Sequence, residues 1–232
     1  MKRSEININL SWAVSLLEKH QITLPPFGYW TLEDWQAKRE ETKVIREIML
    51  GWDITDFGNN RFDEFGAVLF TLRNGSLKDS SLGTPYAEKL ILLKDGQRLP
   101  LHYHASKTED IINRGGGVLA IKLYNALPSG EVDYEAPVSA DLDGVRKIFK
   151  PGEEIHIASG ASITLRPFQY HLFWAKEGKG DLVCGEVSSI NDDQTDNYNA
   201  EPVSRFSTVQ EDEKIIYPLC NEYDRVLGGL SI

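Results

Sequence analysis

Apolar residues recur along this chain at two different spacings, and the change between them divides it. Over the first fifty residues the spacing is helical. Ile6, Leu10, Ala13 and Leu17 share one helix face after Ser4, a candidate cap, and Pro25-Pro26 closes the segment. Thr31, with Asp34 three residues on, has the form of a capping box. It predicts a second helix with an apolar side of Val44, Ile45, Ile48 and Met49, closed by Gly51. After GWDITDFGNN the apolar runs shorten to strand length and are broken at turn-forming pairs. AVLFTLR ends at Asn74-Gly75, YAEKLILL at Asp95-Gly96, and VLAIKLYN at a polar connection. Asp143-Gly144 and Pro151-Gly152 punctuate the later part, where EIHIA, SITL, YHLFWA and DLVCGEVSS continue the series. Many short strands joined by glycine-rich turns predict a mainly β chain. The reading is a jelly-roll β-barrel over residues 61–232, with a helical segment over residues 1–60 packed on it as one folding unit.

One stretch departs from this texture. From Asn191 to Glu213 the chain is polar, with seven acidic residues against Arg205 alone, the composition of a solvated segment. IIYPLCNEY then reads as one more strand or a packed tail. A chain of 232 residues with 41% hydrophobic content has enough apolar surface for a sizeable core. The net charge of −10 argues against nucleic acid and anionic membrane surfaces as partners, since both require basic patches. It weighs against phosphorylated ligands too, unless a local Arg/Lys pocket overrules the average. No apolar run approaches the roughly 20 residues of a membrane span. Ser4, Glu5, Asn7 and Asn9 interrupt what would be the apolar core of a secretory leader. Cys184 and Cys220 make no disulfide framework, and Cys184, in LVCGEV, reads as a reduced core residue. The expected compartment is the cytoplasm.

The candidate chemistry lies between Gly96 and Gly117. His102 and His104 are alternate residues, so in an extended strand both imidazoles project to the same side. Glu109 follows within reach across a short turn, and His171, in RPFQYHLFWA, enters another apolar run from which a fourth ligand could come. Imidazole and carboxylate together suit a borderline divalent transition metal better than calcium or magnesium. The other histidines read as structural. His20 falls at a helix C-terminus, and His156 has no partner at ligand spacing. Gly115-Gly116-Gly117 lacks the helix and lysine of a phosphate-binding loop and reads as a tight turn between strands.

The spacing is richer than a histidine pair. Gly96, five residues, His102-x-His104, four residues, Glu109, six residues and Gly116 is similar, without a gap, to the first motif of the cupin superfamily. The second motif is weaker. Gly160, five residues and Arg166-Pro167-Phe168 lead to His171, with Arg166 where that family usually has proline, Phe168 where it has glycine and Ala175 where it often has asparagine. Beyond the two motifs, GWDITDFG, FTLRNGS, YAEK, EDIINRGGG, GEVSSINDD and LCNEY together resemble the D-lyxose isomerase family, from about Leu24 to Tyr223. The resemblance implies a cupin barrel with N-terminal helices and one divalent metal per chain, usually manganese, held by His102, His104, Glu109 and His171. It also implies a homodimer and the interconversion of D-lyxose with D-xylulose and of D-mannose with D-fructose.

Such isomerisation needs a base as well as a Lewis acid. Glu186 shares a strand face with Leu182 and Cys184, so it should point inward, where an unpartnered carboxylate is costly. It is the candidate base, the plainer alternative being a buried ion pair. Lys89, in YAEKLILL, is its candidate partner as electrophile or second proton carrier, unless it faces solvent and Glu88 points inward instead. Arg114 and Asp192 are candidates for binding sugar hydroxyls, to which the acidic stretch at the barrel mouth could also contribute. Rival readings on the same ligand set are a cupin phosphosugar isomerase, a metal-dependent cupin dioxygenase, and a cupin that binds sugar without converting it.

Overall fold

The computed structural model describes residues 1–192 and 196–228. Its helices are α1 (Arg3–Lys19), α2 (Leu32–Ala37), α3 (Lys43–Glu47) and α4 (Tyr223–Leu227). The strands are β1 (Gly51–Thr55), β2 (Ala67–Gly75), β3 (Gly83–Leu93), β4 (His102–Tyr103), β5 (Glu109–Gly116), β6 (Leu119–Ala126) and β7 (Val132–Asp133). They continue with β8 (Val138–Leu142), β9 (Val145–Phe149), β10 (Ile155–Ile157), β11 (Ser162–Leu165), β12 (Gln169–Ala175), β13 (Leu182–Ser189) and β14 (Tyr198–Asn199). One sheet has the order β1-β2-β3-β13-β5-β11-β8-β9. The other runs β10-β6-β12-β4-β14, with β7 on β6. Every named strand pair is antiparallel. The mainly β cupin-type barrel with N-terminal helices is therefore the fold, and no helix among the described residues is long and apolar enough to cross a membrane.

Two apolar layers hold it together. Between the sheets, Leu69, Ile91, Leu93, Ile111, Ile121, Phe173, Leu182 and Cys184 form the barrel core. Outside the larger sheet, α1 lays Ile6, Leu10, Ala13 and Leu17 against Trp52, Phe70, Leu90 and Leu92. This is why AVLFTLR and KLILL are continuous apolar runs rather than alternating ones: β2 and β3 are covered on both faces. Cys184 is free, and burial pushes its thiol pKa up, consistent with an inert core residue.

Three details differ from the sequence reading. Helix α1 begins at Arg3, where Glu5 accepts from the Lys2 backbone N–H at 2.7 Å; Ser4 lies inside the helix and its hydroxyl donates to Asp212. The second helix starts at the expected Thr31–Asp34 box but breaks after Ala37, and Thr42 Oγ1 turns back to the Arg39 carbonyl at 3.2 Å. Gly51 does not close a helix. It opens β1 with φ +114°, and a Cβ there would lie 2.3 Å from the Tyr223 hydroxyl. Of the two outcomes read for IIYPLCNEY, the packed tail is the one found, with Leu219, Cys220 and Tyr223 buried.

The glycine run marks a close approach of two backbones. Gly116 has φ +87°, and a Cβ on it would sit 2.1 Å from the Asp181 carbonyl oxygen. Gly116→Ala is expected to destabilise the protein by at least about 1–3 kcal/mol, the usual cost of a side chain in this backbone region before the clash is added. Equilibrium urea unfolding measures this, and a change below about 0.5 kcal/mol would contradict it.

Candidate metal centre and active site

Strand pairing brings the motif residues together from opposite ends of the sequence. His102 in β4 is the register partner of His171 in β12, and His104 follows two residues on in the same extended segment. Glu109 starts β5 in the other sheet. The ligand nitrogens of His102, His104 and His171 all lie within 4.8 Å of one another. Glu109 Oε1 is 3.2 Å from His171 Nε2 and 3.5 Å from His104 Nε2.

The outer nitrogens decide the tautomers. Nδ1 of His102 donates to the Pro100 carbonyl at 2.9 Å, that of His104 to the Asp196 carbonyl at 2.7 Å, and that of His171 to the Gln169 carbonyl at 3.0 Å. Each ring then has its proton on Nδ1 and a bare lone pair on Nε2. His102 Nε2 and His171 Nε2 are 3.1 Å apart. Two lone pairs at that separation repel unless a cation lies between them, so the donor set fits a bound divalent metal. Burial, with the neighbouring imidazoles, also holds the His102 pKa well below the ordinary histidine value, which keeps the ring a neutral ligand. Burial alone would raise the Glu109 pKa, but the Lys107 ammonium outweighs it and holds this carboxyl well below the ordinary carboxylate range.

Lys107 is the residue that the sequence reading missed. Its Nζ lies 2.7 Å from Glu109 Oε2, 3.0 Å from Glu186 Oε1 and 3.2 Å from Asn191 Oδ1, and the side chain is buried. Glu186 points into the barrel as alternation required, and it also accepts from Ser188 Oγ at 3.3 Å. Its nearest cation is thus Lys107, while Lys89 stands farther off at 3.8 Å. Both lysines face inward. Glu88 points the other way and pairs with Arg73 at the sheet surface.

The acidic stretch is not simply a solvated loop, although residues 193–195 within it lie outside the described residues. The Asp196 carboxylate accepts from the backbone N–H groups of Ala105, Ser106 and Lys107 and from Ser106 Oγ, at 2.8–3.1 Å. It fixes the loop that carries His104 into Lys107. Arg205 likewise turns inward and bonds Asp53 of β1 at 2.7 Å.

Lys89, His102, His104, Lys107, Glu109, Glu186 and Arg205 line a cavity whose remaining walls include Phe57, Leu69, Ile91, Ile111 and Phe173. On one side it shares Leu99, Pro100, Asn197, Asn199 and Val203 with a wide outer groove. Of the two residues expected to bind hydroxyls, neither lines the cavity. Arg114 is exposed, because Glu109, Ile111 and Asn113 take the inward positions of β5, and it packs over Gly185 from outside. Asp192 lines an adjoining hollow. His156 is exposed beside Glu154, and His20 caps the end of α1, both as read from the sequence.

A model of the D-lyxose isomerase family matches residues 1–223. The D-lyxose/D-mannose isomerase of Escherichia coli O157:H7 is 43% identical over 227 residues, covering 96% of this chain and 98% of that protein. The D-lyxose/D-mannose isomerase of Serratia proteamaculans is 41% identical over 229 residues, covering 98% of this chain and all of that protein. Among solved structures, Cellulomonas parahominis L-ribose isomerase superposes with a TM-score of 0.58 at 17% identity, over 90% of this chain and 98% of that one. At that identity the likeness establishes the fold.

Proposed function

This chain belongs to the D-lyxose isomerase family, and we propose that it interconverts D-lyxose with D-xylulose and D-mannose with D-fructose. The observation that carries the reading is the placement of Glu186, buried and bridged by Lys107 to Glu109, across one cavity from three converging Nε2 lone pairs. Aldose-ketose isomerisation removes the proton on C2, moves the hydroxyl proton from O2 to O1, and returns a proton to C1 through an enediol. A divalent cation held by His102, His104, His171 and Glu109 supplies Lewis acidity to the sugar oxygens. Glu186 takes the proton from C2 and delivers it to C1. Lys107, between Glu109 and Glu186, holds the Glu186 carboxylate in place and serves the transfer between the two oxygens. Phe57, Ile91, Leu99 and Phe173 exclude water, which strengthens each of these interactions.

The finer assignments belong to the same proposal. Manganese is the cation, supported by a donor set of imidazoles and one carboxylate and by the family resemblance. The enzyme acts as a homodimer in the cytoplasm. The test is to incubate manganese-reconstituted protein, with and without oxygen, with a panel of free and phosphorylated aldoses and ketoses. The expected result is ketose from D-lyxose and D-mannose at the same rate anaerobically. Conversion of phosphorylated sugars alone, or a strict need for oxygen, would overturn the proposal.

A further inference from the structure

A second hollow, more polar than the catalytic cavity, adjoins it, and the two share Leu69, Lys89 and Arg205 as a common wall. This wall has no residue in common with the one shared with the outer groove, so the hollow lies on a different side of the site. The charged groups lead toward it from the metal ligands. Lys107 joins Glu109 to Glu186, and Lys89 follows 3.8 Å beyond Glu186. Thr71 is the register partner of Lys89 on β2 and lines the hollow while only 6% exposed. Partners in register project from the same face of the sheet, so the Thr71 hydroxyl stands beside the Lys89 side chain at the shared wall.

The hollow is polar without being anion-seeking. Its cations Lys78, Lys89 and Arg205 are matched by Glu47, Asp53 and Asp192, and Arg205 is already paired to Asp53 at 2.7 Å. Balanced charge offers little to a phosphate dianion and suits neutral hydroxyl groups.

We infer that this second hollow is the subsite for the far, unphosphorylated end of the sugar, and that Thr71 sets the preference between hexose and pentose. The inference rests on the isomerase reading above. A sugar held at the metal ligands by O1 and O2 runs past Glu186 toward Lys89, and the extra CH2OH of a hexose crosses the shared wall. There it meets the Thr71 hydroxyl.

The test compares kcat/KM for D-mannose and D-lyxose in two variants of the full-length metal-loaded protein. Thr71→Leu adds bulk at the shared wall, and the mannose-to-lyxose ratio is expected to fall about 10-fold or more, the scale on which one misfitting carbon is discriminated. Thr71→Val keeps the volume and the strand preference but removes the hydroxyl, and the ratio should fall by about 5-fold. It decides the matter if the leucine variant does not fold. An unchanged ratio in the valine variant, with the parent protein active on both sugars, overturns the subsite alone. Conversion of mannose 6-phosphate as fast as free mannose would do the same. A parent protein that converts neither sugar would overturn the isomerase reading and the subsite together.

Discussion

Replacing His102 or His104 by alanine is expected to remove both the bound cation and the activity while leaving the barrel folded. Each ring contributes an Nε2 lone pair whose direction is set by a backbone carbonyl on Nδ1, so alanine deletes a ligand that no neighbouring side chain can replace. Loss of the electrostatic stabilisation of the enediol oxygens should lower kcat by on the order of 10³-fold or more, at or beyond the cost of removing one preorganised oxyanion donor. Metal content should fall from about one divalent ion per chain to well below it. The fold should survive because β4 is two residues long and contributes little to either apolar layer. His104→Ala also gives up the bond to Asp196, so its loop should loosen further than in His102→Ala. Elemental analysis, circular dichroism and turnover measured on the same preparations separate these outcomes. Full activity in a metal-free His102→Ala protein would contradict the ligand assignment.

Glu186→Gln is the second large effect. Glutamine keeps the size of the side chain and can accept through Oε1 from Lys107 and Ser188, but it cannot take up the C2 proton. Turnover should fall by roughly 10²–10⁴-fold, the range for loss of a general base. Metal content should hardly change, because Lys107 stands between Glu186 and the ligand Glu109 and keeps its bond to Glu109 in the variant. Activity within a few-fold of the parent would make Glu186 structural and transfer the search to Lys107 or Lys89. Glu88 would not be a candidate, since it faces away from the cavity and is paired with Arg73.

These two predictions draw on the part of the site that local sequence patterns make legible. His102, His104, His171 and Glu186 sit in extended segments, where side-chain direction follows from parity alone. Arg114 was legible in the same way: Asn113 is inward, so Arg114 must be outward, and its charge suggested a role that its parity denies. Lys107 was not legible. It lies in a loop without a repeat, and what aims it inward is Asp196, 89 residues away in a stretch whose composition is that of a solvated segment. The same limit applies to Arg205, whose partner Asp53 is on β1. In the fold, the strand series and the face of α1 could be read because burial there is periodic. The break after Ala37 and the strand beginning at Gly51 depend on long-range contacts with the tail, such as the Tyr223 hydroxyl on the Leu50 carbonyl.

The central claim is that one proton passes between C2 and C1 through a side chain of this cavity. A route of that kind exposes the migrating hydrogen to exchange with water, whereas a hydride shift carries it directly from carbon to carbon. Product made in D2O should therefore contain solvent deuterium, at C1 of the ketose in one direction and at C2 of the aldose in the other. Incorporation below one atom per molecule is consistent with the burial of Glu186 and Lys107, which slows their exchange with water. The measurement is NMR of early-time product, with a no-enzyme control for chemical exchange. Deuterium at the predicted carbon supports proton transfer; complete retention of the substrate hydrogen across pH and temperature would contradict it and remove the role given to Glu186.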